Sequence, residues 1–266
     1  KRRARAYDEA IQRRVGEVTK RDGEARVLDV GAGSGLLSMM AARAGARSAL
    51  ACEWHGSLAA CARRNVAANR MSDVVTVARG DAAKLRRGVQ GVPIEGCNLV
   101  VIDLFDAGLT GEHALWMLEK ARRNVLTPDA VVVPAAATMY CMGVEAYTSE
   151  VLGFDVSAQN KYRWDKTYET VRMSDVPHRA LTRPKKVFEF AFDGSKTKGR
   201  GRESVLRLET VASGYLNAVV FWFDLHMDER ETITTAPAGV GKGGRLREEE
   251  RFEGDKEGLE AERRRR

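Results

Sequence analysis

The stretch from Arg26 to Glu53, R-V-L-D-V-G-A-G-S-G-L-L-S-M-M-A-A-R-A-G-A-R-S-A-L-A-C-E, constrains this chain more than any other part of it. Val27, Leu28 and Val30 form a short apolar run that stops at Gly31, the pattern of a strand buried on both faces of a parallel sheet. Gly31, Gly33 and Gly35 follow at alternate positions, so the backbone can turn with positive φ and no Cβ stands between it and a ligand. Leu36, Leu37, Met40, Ala41 and Ala44 then give one helical face, which ends at Gly45. Ser48 to Cys52 make a second strand, closing on Glu53. The stretch therefore predicts a complete βαβ unit.

Such a unit binds nucleotides or nucleosides at the carboxyl ends of its strands, where backbone N–H groups and a helix N-terminus face the ligand. An acid at the end of the second strand can accept hydrogen bonds from both ribose hydroxyls. Dinucleotide sites share this logic but space their glycines G-x-G-x-x-G, and here the third glycine comes one residue early. An acid-x-G-x-G-x-G loop beginning at Asp29 fits S-adenosylmethionine better than NAD. A plain strand-to-helix turn with no ligand is the competing reading.

With 266 residues and 44% hydrophobic content the chain can bury one large or two modest cores. It contains no apolar run of membrane-spanning length. Its first residues, K-R-R-A-R-A-Y, lack the apolar centre of a signal peptide, and the absence of an initiator Met points to a fragment edge. A cytoplasmic or nuclear location follows as an expectation. Cys52, Cys61, Cys97 and Cys141 form no C-x-x-C pair, which favours reduced structural thiols over zinc or disulfides, and no metal is expected. The net charge of +7 comes from the ends: Lys1, Arg2, Arg3, Arg5 and Arg263 to Arg266 supply eight positive charges, and the remainder carries −1. Solvated basic tails, not a nucleic-acid groove, are the expected reading.

Helical spacing of Ala10, Ile11, Arg14, Val15 and Val18 predicts a helix over 7–18, and a second is expected over 57–70. Val74 to Ala78, Leu99 to Ile102 and Val131 to Val133 read as further strands, with a helix over 112–125 between the last two. Alternating strands and helices predict an α/β sheet with helices on both faces over 1–133. At Pro134 the texture changes. Runs at 137–144, 187–192, 205–211 and 216–225 predict a mainly antiparallel second domain over 134–238. Residues 146–184 interrupt it with Tyr147, Phe154, Tyr162, Trp164 and Tyr168, an insertion suited to local burial or partner contact. From Gly239 to Arg266 the chain is too charged to bury itself and reads as disordered or weakly helical.

Past the fourth strand lies D-L-F-D-A-G-L-T-G-E, Asp103 to Glu112. Two carboxylates flanking a glycine-containing loop can converge on one cation, and a planar guanidinium suits them because its forked N–H donors pair with carboxylates bidentately. The alternative is local: Asp103 closes the strand and Glu112 caps the following helix. Lone His113 reads as surface or helix-capping, and Trp116 and Met117 as helix-face residues.

Taken together, V-L-D-V-G-A-G-S-G-L-L-S-M-M-A, A-C-E, N-V-A-A-N-R-M, L-F-D-A-G-L-T-G-E and V-P-A-A-A-T-M-Y resemble the protein arginine methyltransferases, in particular the symmetric-dimethylating and monomethylating branch, from about Tyr7 to Pro237. The resemblance implies a Rossmann-like domain carrying S-adenosylmethionine, a β-barrel domain, and a homodimerisation arm within 146–184. By the same resemblance, Gly31, Gly33 and Gly35 line the methionine and ribose, Glu53 holds the ribose hydroxyls, and Asp81 and Ala82 edge the adenine. Asp29, Leu36 and Trp54 complete the implied cofactor set. Asp103 and Glu112 are the implied catalytic acids, and the implied substrates are arginines in glycine- and arginine-rich proteins.

The chain departs from the family pattern at three places. Asp103 stands where the family has Glu. No Thr-His-Trp loop follows the strand around 217–235, and of the N-terminal helix that covers the cofactor only Tyr7 is matched. Two rival readings therefore stand beside arginine methylation: a cofactor-binding pseudoenzyme or scaffold, and a class I methyltransferase of a small molecule.

Overall fold

The computed structural model describes residues 2–162, 170–195, 203–237 and 239–246. It opens with α1, Arg2–Asp22, which buries Ala6, Tyr7, Ala10, Ile11, Val15 and Val18 on one face. The helix starts five residues before the sequence reading placed it, so Arg2, Arg3 and Arg5 are helical and not a tail. Arg3, four residues before Tyr7, continues the face that Tyr7 opens. Lys20 and Arg21 in the last turn suit the negative end of the helix, and Gly23 at φ 85° stops it.

The strands β1 (Arg26–Val30), β2 (Ser48–Glu53), β3 (Val75–Arg79), β4 (Cys97–Ile102) and β5 (Leu126–Val133) form one sheet in the order β3-β2-β1-β4-β5. All four pairings are parallel. Helices α2 (Leu36–Arg43), α3 (Gly56–Ala68) and α4 (Ala114–Asn124) lie within the crossovers. Every residue of β4 is buried, as an apolar run in a covered parallel sheet requires. Asn98, also buried, fastens the opposite end of the sheet: it accepts from the Arg26 N–H at 2.7 Å and donates to Asp22 and to the Glu24 carbonyl.

Beyond Pro134 the strands β6 (Ala136–Ala146), β7 (Glu150–Val151), β8 (Phe154–Asp155), β9 (His178–Ala180), β10 (Lys185–Ala191), β11 (Ala218–His226) and β12 (Thr232–Thr234) follow, then a short antiparallel pair, β13 (Val240–Gly241) and β14 (Arg245–Leu246). A second sheet, antiparallel and curled, runs β10-β6-β11-β12, with β9 on β6. Alternate residues Tyr140, Met142, Val144 and Ala146 of β6 meet Trp222, Ala218 and Val220 of β11 in its core. Tyr140 and Trp222 stack with ring centroids 5.8 Å apart.

By contacts between Cα atoms the chain forms two units. One comprises Lys1–Ala137, Phe190–Arg200 and Leu225–Ile233, the other Thr138–Glu189, Gly201–Asp224 and Thr234–Arg266. In the first unit Phe192 stacks on Phe105 with centroids 5.6 Å apart, and its N–H donates to the Ala135 carbonyl.

Two expectations are corrected here. The run 205–211 is not a strand: Thr210 makes one isolated bridge with Thr182, and Val205 is 98% exposed. Alternating hydrophobicity marks sidedness but does not supply a partner edge. The other correction concerns Gly239 onward, whose first residues are ordered. Val240 enters the second core, and the buried Asp224 carboxylate accepts from the Gly243 N–H at 2.7 Å. The rest of the expected tail, 247–266, lies outside the described residues.

Of the insertion, Tyr147 is buried, whereas Leu152 and Phe154 in the β7–β8 hairpin are 93% and 73% exposed. The side chain of Tyr162 and all of Trp164 and Tyr168 are outside the described residues.

Candidate functional site

The strand order reverses direction between β1 and β4, and an α/β sheet offers its binding crevice at the carboxyl ends of strands at such a point. Registers Val30 with Ile102, Val30 with Cys52, and Glu53 with Arg79 place the candidate residues side by side at that edge. Asp103 follows β4, Gly31 follows β1, Glu53 ends β2, and Asp81 lies two residues past β3.

The glycines hold the turn that the sequence demanded of them. Gly31, Gly33 and Gly35 have φ of 73°, 53° and 81°, in the left-handed region. A Cβ on Gly31 would come within 2.5 Å of the Leu104 side chain, which would have to shift, and the left-handed φ strains any other L residue there. A Cβ on Gly33 would meet nothing within 4 Å, and that face is open space for a ligand. Gly31 and Ala32 N–H both donate to the Cys52 carbonyl at 3.0 Å, fixing the loop against β2.

Glu53 is 7% exposed, and its two oxygens are each engaged by backbone: Oε2 accepts from Gly33 N–H and Oε1 from His55 N–H, both at 2.7 Å. Each oxygen keeps a second lone pair for an incoming hydroxyl. Asp29 is fully buried. Its Oδ2 accepts from the Ser38 N–H and hydroxyl at 3.0 and 2.7 Å, tying β1 to the first turns of α2, while Oδ1 has no partner among the described residues. Burial pushes its carboxyl up to about 7, and the charges of Asp103 and Glu53 add to the shift. Leu36 and Trp54 are 43% and 70% exposed. Asp81 caps a short 3-10 turn by accepting from Ala83 N–H at 2.9 Å, beside the buried Ala82.

The acid loop is braced from within. Asp106 accepts from the Gly111 N–H at 3.0 Å, and Thr110 and His113 make further turn hydrogen bonds. Glu112 is exposed and has no hydrogen-bond partner among the described residues. It is not the helix cap: that position is His113, at φ 62°, and no side chain caps α4. Asp103 is held from α1. Tyr7, 1% exposed, hydrogen bonds to Asp103 Oδ1 at 2.7 Å and to the Ile102 carbonyl at 2.9 Å, and Arg3 pairs with the same Oδ1. Burial raises the Tyr7 phenol well above its usual value, reinforced by the Asp103 charge. Burial opposes the Arg3 charge, but Asp103 outweighs it and raises the pKa of Arg3.

Arg3 is the site residue that sequence reasoning missed. Its signal was present: it stands four residues before Tyr7, on the same helical face. No group of His, Cys, Asp and Glu side chains suited to a metal occurs among the described residues, and no helix there is long and apolar enough to cross a membrane.

Residues 11–101 match the model of the ribosomal protein L11 methyltransferase (PrmA) family. Protein arginine N-methyltransferase 7 of Drosophila grimshawi is 30% identical over 254 residues, covering 88% of this chain and 36% of that protein. Its Aedes aegypti counterpart is 33% identical over 248 residues, covering 87% and 36%. Arginine N(omega)-methyltransferase of Streptomyces achromogenes subsp. streptozoticus is 36% identical over 224 residues, covering 80% and 60%. The chain thus spans about a third to three fifths of the length of these relatives.

Two solved structures share the fold. The Trypanosoma brucei PRMT1 enzyme-prozyme heterotetrameric complex with AdoHcy has a TM-score of 0.64 at 24% identity, over 87% of this chain and 72% of that one. Arabidopsis thaliana protein arginine methyltransferase 10 has a TM-score of 0.65 at 19% identity, over 91% and 76%. In sequence the chain is similar to these arginine N-methyltransferases, and in fold to the two solved protein arginine methyltransferases.

Proposed function

We propose that this protein transfers a methyl group from S-adenosylmethionine to a guanidinium nitrogen of arginine in protein substrates. The observation that carries the reading is the adjacency of the glycine loop with Glu53 and the Asp103–Glu112 loop at the β1/β4 strand ends. The residues present suit the cofactor: an open backbone face at Gly33, an acid with lone pairs to spare at Glu53, and an unpartnered carboxylate oxygen at Asp29.

Gly31, Gly33 and Gly35 would cradle the cofactor, Glu53 would take its ribose hydroxyls, and Asp81 and Ala82 would border its base. When bound, S-adenosylmethionine supplies a methyl group on a sulfonium centre. Asp103 and Glu112 bind the acceptor guanidinium through its forked donors and fix its orientation, the largest share of what a site of this kind contributes. Their charge draws positive character onto the nitrogens they face and leaves the remaining nitrogen a better nucleophile. On this reading the antiparallel sheet is part of a β-barrel that completes the substrate domain over 134–238, and the 146–184 arm joins two copies. The preferred acceptors are glycine- and arginine-rich segments.

Free arginine is the second reading, favoured by the Streptomyces relative, whose name specifies arginine and no protein. Transfer of labelled methyl to a Gly-Arg-Gly peptide and to free L-arginine, by wild type and Glu112→Gln, tests both. We expect labelled peptide with wild type, and at least a hundredfold slower transfer by the variant with cofactor affinity unchanged. Label on free arginine alone selects the second reading. Cofactor binding with neither acceptor labelled would leave the pseudoenzyme.

A further inference from the structure

The acid loop is strained on either side of the residue it presents. Leu109 and His113 hold left-handed φ of 68° and 62°, and Glu112 stands between them. Residues other than glycine keep such angles only where their surroundings over-determine the backbone. Two attachments do so here. Inside the loop, Asp106 Oδ1 accepts from the Gly111 N–H at 3.0 Å, and a Cβ on Gly111 would run into the same carboxylate, so the turn closes tightly. At the loop's root, two residues past Asp103, Phe105 is 7% exposed and stacks on Phe192 with ring planes 15° from parallel.

Phe192 is seated without help from the loop. It follows β10, its N–H donates to the Ala135 carbonyl at 2.9 Å, its own carbonyl accepts from the Arg122 guanidinium, and its side chain is buried. A Cβ on Gly194 would stand 3.2 Å from Arg122 Nε, so the turn after Phe192 packs onto the same guanidinium. The ring is a fixed platform for the root of the loop. We infer that Phe192 is a positioning residue of the acceptor site: by seating Phe105 it fixes the distance and angle at which Asp103 and Glu112 meet a guanidinium. The inference rests on the reading of that loop as acceptor-binding. A misplacement of about 1 Å costs up to about a hundredfold in rate, so a stack that makes no bond to the acceptor can still set the speed of transfer.

The test uses the full chain as wild type, Phe192→Leu, Phe105→Leu, the double variant and Glu112→Gln. Methyl transfer is followed on the acceptor that wild type labels, with rates counted per S-adenosylhomocysteine-binding site by calorimetry, so that unfolded protein does not enter. Each single Phe variant is expected to lose about tenfold in kcat/KM for the acceptor, with S-adenosylhomocysteine affinity within about twofold of wild type. The double variant should fall no more than about twofold below either, because all three lack the same contact. Hydrogen exchange over 103–113 is expected to quicken about fivefold while 26–53 keeps its wild-type rate. Losses that multiply to about a hundredfold in the double variant would overturn the inference, as would unchanged exchange over 103–113 in Phe192→Leu. A parallel fall in S-adenosylhomocysteine affinity would reduce Phe192 to a structural residue. If Phe192→Leu binds no S-adenosylhomocysteine, Phe105→Leu reads the same contact from its other side. If wild type labels no acceptor, or Glu112→Gln transfers as fast as wild type, the acid reading fails and the inference with it. Slow transfer by Glu112→Gln beside full transfer by Phe192→Leu sinks the inference alone.

Discussion

Asp29 and Glu53 are both acids at one sheet edge, yet they have opposite duties. Glu53 is an acceptor in use, with one backbone N–H on each oxygen. Glu53→Ala would orphan both donors and remove the proposed ribose acceptor, and since hydrogen bonds to a charged group are worth about 1.5–3 kcal/mol we expect at least a tenfold loss in affinity for S-adenosylhomocysteine by calorimetry. Glu53→Gln is expected to fail as well, because its amide N–H₂ would face one of the two backbone donors. Asp29 is an acid kept near its neutral form, its carboxyl raised to about 7 by burial from an unfolded value near 3.8. A raised acid binds its proton more tightly when folded. Its contribution to stability is therefore greatest below the unfolded value, declines as pH rises between the two, and is flat above about 7. In Asp29→Asn the side-chain oxygen still serves Ser38. The wild-type-minus-variant difference in urea-derived stability should fall between pH 4.5 and 7.5, and an equal difference at both values would contradict the assignment.

At the scale of elements, α1 brings Tyr7 and Arg3 to Asp103, and its mid-section is held from far along the chain. Arg13 pairs with the buried Asp228 at 2.5 Å, and Arg14 makes two 2.7 Å hydrogen bonds to Glu229. The environments differ: Asp228 is 3% exposed and Glu229 78%. Breaking a buried pair leaves an uncompensated charge, whereas an exposed pair is largely solvent-screened. Asp228→Asn is therefore expected to cost about 3 kcal/mol in chemical denaturation and Glu229→Gln less than about 1 kcal/mol. Of these four residues the helical spacing singled out only Arg14. Strands β1, β2 and β4 were legible because burial on both faces writes an unbroken apolar run, and the glycine loop because positive φ excludes other residues. The five-residue extension of α1 was obscured by its arginines, which look like solvated charge until Asp103 is placed beside Arg3. Arg13 and Asp228 lie 215 positions apart, and no local period encodes a partner at that distance.

For the whole molecule, the change of texture at Pro134 suggests a linear division, and a piece ending there would contain every strand of the parallel sheet. The compact unit around that sheet is not linear, because it also takes Phe190–Arg200 and Leu225–Ile233. Those returning segments bring Phe192 onto Phe105, seat the Arg122 guanidinium on the Phe192 carbonyl, and carry Asp228 to Arg13. Phe192 is 2% exposed, and truncating a buried Phe typically costs about 3–5 kcal/mol, a large share of the 5–15 kcal/mol that holds a domain together. A fragment of residues 1–137 lacks this ring and the Asp228 charge together. We expect it to show no cooperative thermal transition by circular dichroism, while Phe192→Ala in the full chain keeps one at a lower midpoint. A fragment that melted cooperatively at the midpoint of the full chain would mean that the parallel sheet is self-sufficient and that the later segments only rest on it.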